Sequence, residues 1–319
     1  SATNNIVVTD TVNDGVIKAH YAEVYKAKDS VFATKRAVSI SLVEQDSLYM
    51  HGDTLMVTGK PKNRISRAFH NAKFYKTDLS GKCDSLHFSE KTGITQLIRN
   101  PVLWNGENQM TGDSIHLISN LETEKLDSLK VINNAFIVSL DSISKTGYNQ
   151  AKGKDLFGKF IDNELKIIDL IKNTEVIYYM YNDDDELIGI DKTICSKIRI
   201  TMANNDVEDL TFYTDPDGDI FPDKELPFES RKLKGFVWRG DERILKMEDI
   251  FDEDDNNLEL VVINGLDNPI DIDALEAERD QNSNDPVNGI PPTKNVPINT
   301  KVSDRPKQIK VTSDPNQFQ

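Results

Sequence analysis

Apolar residues recur at every second position through much of the first 221 residues, in short runs separated by Gly, Asn, Asp and Pro. Val38-Ser39-Ile40-Ser41-Leu42 and Ala135-Phe136-Ile137-Val138 are such runs. Period two marks a strand with one buried face. Later, three paired runs each straddle an Asn/Asp turn: Phe157–Phe160 with Leu165–Ile168, Glu175–Met180 with Leu187–Ile190, and Lys197–Ile200 with Leu210–Tyr213. They predict successive hairpins. One phrase repeats, as Gly52-Asp53-Thr54-Leu55, Cys83-Asp84-Ser85-Leu86 and Gly112-Asp113-Ser114-Ile115, its aspartates 31 and then 29 residues apart. Such a period belongs to repeat architectures. Each phrase reads as a turn running into a strand, so stacked units would build one continuous sheet.

The pattern divides the chain into residues 1–221, a repetitive β unit; 222–251, a capping segment for one end of the sheet; and 252–319, an acidic and then Pro-rich, mostly disordered tail. Within these, Phe228–Leu233 and Ile272–Gln281 are predicted as brief helices. The net charge of -15 is concentrated late: residues 241–280 hold 15 acids and 3 bases, or -12. The acidity therefore reads as a property of the tail rather than of the body's ligand. No basic stripe with interleaved aromatics exists, which argues against nucleic acid. No run of 18 apolar residues is present, so no membrane-spanning helix is expected. Ser1 in place of an initiator Met reads as a processed or truncated start.

Chemistry-bearing patterns are sparse. The chain lacks GxSxG, Walker A and GxGxxG motifs, so no catalytic residue or cofactor is assigned. His87 and His116 hold the same slot in successive units, facing outward if Leu86 and Ile115 face inward; two imidazoles fall short of a zinc site, and no metal is assigned. Asp215-Pro216-Asp217-Gly218-Asp219 resembles the start of a calcium loop, but Leu226 stands where its twelfth-position Glu would be. Cys83 and Cys195 pair only if their strands meet; two separate thiols are expected. The apolar strand positions remain. Leu86, Phe88, Leu97, Val102, Trp104, Ile115, Leu117, Phe136 and Val138 would pack on one another in a closed sandwich. In an open, V-shaped sheet they would line a trough for alkyl chains.

Short motifs, in order, resemble a known family: Ser47-Leu48-Tyr49-Met50-His51-Gly52-Asp53, Gly81-Lys82-Cys83-Asp84-Ser85, Asn100-Pro101-Val102-Leu103-Trp104, Asn108-Gln109-Met110-Thr111-Gly112-Asp113, Tyr148-Asn149-Gln150-Ala151 and Leu233-Lys234-Gly235-Phe236-Val237-Trp238. Together they resemble the OstA-like proteins, relatives of LptA and of the periplasmic domain of LptD, across residues 20–251. The resemblance implies the C-terminal portion of a longer chain. It implies an LptA-type β-jellyroll: stacked antiparallel strands in a V-shaped solenoid. It also implies non-enzymatic lipopolysaccharide binding and transport in a periplasmic bridge to the outer membrane, joined end to end with Lpt-type domains or a second copy by strand addition. The competing expectation is a structural or adhesion β-repeat module that binds protein or glycan.

Overall fold

A computed structural model describes residues 2–10, 15–43, 46–123, 125–162, 164–203, 206–257 and 308–309. They belong to one compact unit. The strands are β1 (Ala2–Asp10), β2 (Gly15–Tyr25), β3 (Ser30–Thr34), β4 (Val38–Val43), β5 (Asp46–His51), β6 (Thr54–Thr58) and β7 (Ile65–Lys76). There follow β8 (Leu79–Ser89), β9 (Ile94–Ile98), β10 (Val102–Asn105), β11 (Asn108–Thr111), β12 (Ser114–Ser119), β13 (Leu126–Ile132) and β14 (Ala135–Leu140). The last are β15 (Tyr148–Gly153), β16 (Asp155–Ile161), β17 (Glu164–Tyr181), β18 (Leu187–Ala203), β19 (Asp206–Tyr213), β20 (Asp217–Phe221) and β21 (Gln308–Ile309). All join one antiparallel sheet, the all-β stack that the alternation predicts. The three late hairpins are β16–β17, β17–β18 and β18–β19.

The sheet is folded along a crease into two leaves. β7 shows how: Ile65–Phe69 pair with β8 and β6, whereas Lys73–Tyr75 pair with β8 and β5. One bent strand, or a collinear pair such as β5 and β6, thus makes one rung spanning both leaves. Leaf A contains β4, β5, β10, β11, β14, β15 and β20; leaf B contains β3, β6, β9, β12, β13, β16 and β19; β2, β7, β8, β17 and β18 cross between them.

Two kinds of corner alternate along the crease. Every second rung turns through two consecutive left-handed residues: Lys35-Arg36, His70-Asn71, Arg99-Asn100, Asn133-Asn134, Lys172-Asn173 and Thr214-Asp215. Asn and Asp tolerate that conformation better than the other types present. The intervening rungs turn at the recurrent phrase. Its aspartates donate their backbone N–H to the neighbouring left-handed pair: Asp53 to His70 O (3.1 Å), Asp84 to Arg99 O (3.0 Å) and Asp113 to Asn133 O (3.1 Å). Lys154 repeats the bond to Lys172 O at 2.9 Å. The phrase is therefore a corner within a rung, not a turn between strands as its composition suggests.

Residues 222–257 form an irregular strap with short 3-10 turns, including Phe228–Arg231 where a brief helix is predicted. The strap lies across the outer face of leaf A rather than capping an end of the sheet. It continues past Phe251: Asp252 and Asp255 contact the sheet. Apart from residues 252–257 and 308–309, the predicted tail, with its helix at Ile272–Gln281, lies outside the described residues. Gln308–Ile309 pair with β19.

Candidate functional site

The interior between the leaves is the candidate site. On leaf B one cross-strand row runs Ala22, Ala33, Leu55, Ala68, Leu86, Leu97, Ile115, Val131, Leu156, Leu170, Ile198, Phe212. Each is apolar and at most 5% exposed. On leaf A the facing row includes Met50, Phe74, Leu103, Met110, Ile137, Ala151 and Val176, which join the same cluster. Leu117 lies one row closer to the hairpin tips of leaf B, and Phe88, half-buried, shares that row.

The other four trough candidates are elsewhere. Inward-facing Leu103 and Ile137 alternate with Val102, Trp104, Phe136 and Val138, which point to the outer face of leaf A. Phe136 and Val138 pack in a second cluster with Leu226 and Leu233 of the strap. β10 is buried at all four positions, and β14 at its first four. With both faces covered, hydrophobicity no longer tells inside from outside.

The interior is filled. The space between the leaves that reaches Asn108, Ile137, Tyr178, Met202 and Leu210 amounts to about 30 Å³, room for roughly two or three waters. A larger hollow, about 370 Å³, opens at the crease among Asn173, Glu175, Cys195, Ser196 and Asp215, away from the apolar rows.

The strap is held by three chemistries. Gln150, 2% exposed, donates Nε2–H to Arg231 O (2.8 Å) and accepts the Leu233 N–H (2.9 Å). Gln109, fully buried, does the same for Val237 O and Arg239 N–H, both at 2.7 Å. Lys192 and Lys152 donate to Ser230 O and Lys234 O. Apolar sockets take Ile244 and Ile250 against Val38, Ile40, Tyr49 and Tyr75. Ion pairs fasten the far end, Lys82–Glu242 at 2.9 Å and Lys73–Asp252 at 2.7 Å, and His51 Nε2 lies 3.3 Å from the Asp255 carboxylate. His51 Nδ1 faces Ala37 O at 2.7 Å, and Phe251 packs edge-on against its ring while lying beneath Arg36. Burial pushes the Asp252 carboxyl up, but hydrogen bonds from Lys73 and Asn71 hold it below the usual carboxylate range. Hydrogen bonding by Arg239, then by Lys82, pulls Glu242 down to about 2 against the opposing effect of burial. Part of the late acidity is thus a set of contacts to the body, which composition alone does not disclose.

His87 and His116 both pair with Gln96, which separates them by two strand spacings on the outer face of leaf B, roughly 9.6 Å. Among the described residues no group of three or more metal-ligating side chains converges. Cys83 and Cys195 are free thiols at corners of rungs six strands apart, roughly 29 Å. Burial pushes the Cys83 thiol up to about 12. No described helix is long and apolar enough to cross a membrane.

No protein-family model and no curated protein matches the chain. Among solved structures, Pseudomonas aeruginosa LptH is similar, described as the LptA-homologous periplasmic component of the conserved lipopolysaccharide transport device. The TM-score is 0.34 at 14% identity, over 46% of this chain and 99% of that one. Likeness at this level bears on neither ligand nor partner.

Proposed function

We propose that the protein is a non-enzymatic scaffold of the cell envelope that shelters acyl chains of lipopolysaccharide or a similar lipid between its leaves. In this reading it stands in the periplasm as part of a bridge to the outer membrane. Its terminal rungs join Lpt-type domains or a second copy by strand addition. The observation that supports it is the unbroken apolar row from Ala22 to Phe212, which offers chains a continuous dry path along the crease. Each methylene moved from water into such a path gains about 0.8 kcal/mol. Because the interior is filled, loading requires the leaves to part. The bonds between neighbouring hairpin tips, Gly106 to Asp78 on leaf A and Glu90 to Arg64 on leaf B, each stay within one leaf, so parting leaves them intact.

Protein purified from a lipopolysaccharide-making host should carry lipid detectable by mass spectrometry. A photo-crosslinker at Leu117 should capture labelled lipopolysaccharide, while one at exposed Phe157 on the outer face of leaf B should not. Absence of co-purified lipid together with no capture at Leu117 refutes the reading. The filled interior favours a second reading, a structural module that binds protein or glycan through its outer faces. It predicts no lipid and no capture at either position.

A further inference from the structure

The strap meets leaf A as a bound peptide meets a groove. It adds no strand to the sheet, and its first attachment to the body is the single junction Phe221–Pro222. Its backbone is read by side chains: Gln109 and Gln150 each grip a C=O and the N–H two residues further on. Its apolar residues fill sockets, and its acids end on Lys82, Lys73 and His51. Backbone clamps, sockets and an ionic anchor are the elements of peptide recognition. None of these contacts depends on strap and groove belonging to one chain.

We propose that the outer face of leaf A is a binding groove for an extended, acidic, apolar peptide, and that the ligand it takes in trans is residues 222–257 of a second copy. The argument is continuity with the contact already present. The exchanged strap carries the same sequence onto the same clamps, so every bond lost within one chain is regained between two. Exchange of an identical element is a low-cost route to a dimer. The tether gives the chain's own strap an effective concentration of order mM, so exchange grows with protein concentration and with any assembly that holds copies side by side. The inference is independent of what the interior binds.

The test uses full-length chains. Lys82 and Glu242 are partly exposed and 2.9 Å apart. With Cys83 and Cys195 replaced by Ala, a Lys82→Cys chain mixed with a Glu242→Cys chain and treated with a short bis-maleimide reports exchange as a covalent heterodimer. The double variant in one chain is the control and should close internally. At about 1 mM the mixture should give the heterodimer, with a yield roughly a hundredfold lower at about 10 μM. Moving the first cysteine to Lys130→Cys, exposed on the outer face of leaf B, should lower the yield at least tenfold. A control that closes while the mixture gives no heterodimer at 1 mM overturns the proposal. So does a yield from Lys130→Cys as high as that from Lys82→Cys, which marks random collision.

Discussion

The clamp at Gln150 sets a measurable limit on how firmly the strap is seated. In Gln150→Ala the strap loses two hydrogen bonds, to Arg231 O and from the Leu233 N–H. Each contributes about 1 kcal/mol net, and a buried N–H left without an acceptor costs about 1–3 kcal/mol more. With some water entering the vacated space, the expected loss is about 2–4 kcal/mol, or roughly 30- to 1,000-fold in the local opening equilibrium. Native-state hydrogen exchange reads this directly. The Leu233 amide should lose protection by that factor, while amides of the leaf B row, such as Leu97 and Ile115, should change far less. Gln150→Glu keeps the acceptor for Leu233 but turns an oxygen toward Arg231 O, so it should also loosen the strap. If protection at Leu233 changes less than threefold in Gln150→Ala, the amide clamp does not hold the strap and the reasoning fails.

The strap should loosen in acid: a lowered folded-state value for Glu242, about 2, means its contribution is full above the ordinary carboxylate range and is lost as pH falls from about 4.5 to 2. Exchange of strap amides should rise over that window, and Glu242→Gln should reduce the dependence without abolishing it, since Asp252 is also held low by Lys73 and Asn71; because Glu242 is partly solvated, the effect is modest. At the crease, Gly112→Ala drives a methyl into the Val131 side chain and to 3.0 Å from Asn133 O, and should lower stability by about 1–3 kcal/mol in urea unfolding; an unchanged midpoint would show that the corner can relax. A thiol reagent at pH 8 should modify half-buried Cys195 in the native protein but not buried Cys83, and both in denaturant. Equal native rates would contradict the placement of Cys83.

Period-two alternation and Asn/Asp separators suffice for the all-β stack and the late hairpins, because leaf B has one buried and one wet face. Leu86, Leu97, Ile115 and Leu117 fall inside for that reason. Leaf A defeats the same rule. Val102, Trp104, Phe136 and Val138 are as apolar and as buried as their inward neighbours, and the strap's Leu226 and Leu233 cover Phe136 and Val138 from outside. The strap's own register has almost no local signature: its contacts to the sheet come from residues far away in sequence, 38 positions for Lys192 with Ser230 and 83 for Gln150 with Leu233. Gln109 and Gln150 do not stand out either: β11 reads Asn-Gln-Met-Thr and β15 Tyr-Asn-Gln-Ala-Lys-Gly, so a buried amide that demands a polar partner looks like one more polar strand residue. The crease was hidden differently. Asp53, Asp84 and Asp113 reach the next rung through their backbone N–H, and Asp84 and Asp113 also through carboxylates that accept from Arg99 and Asn134; these partners lie 15 to 21 positions away, outside any local pattern.

The alternation of corners also governs how such a chain can grow. One added rung reverses chain direction and places like corners next to each other, so the Asp113-to-Asn133 type of bond has no counterpart. Two added rungs restore both direction and corner order. Length is therefore quantised in pairs, each extending reach by about 10 Å. A chain of this design changes its length along the stack only by duplicating or deleting one such pair.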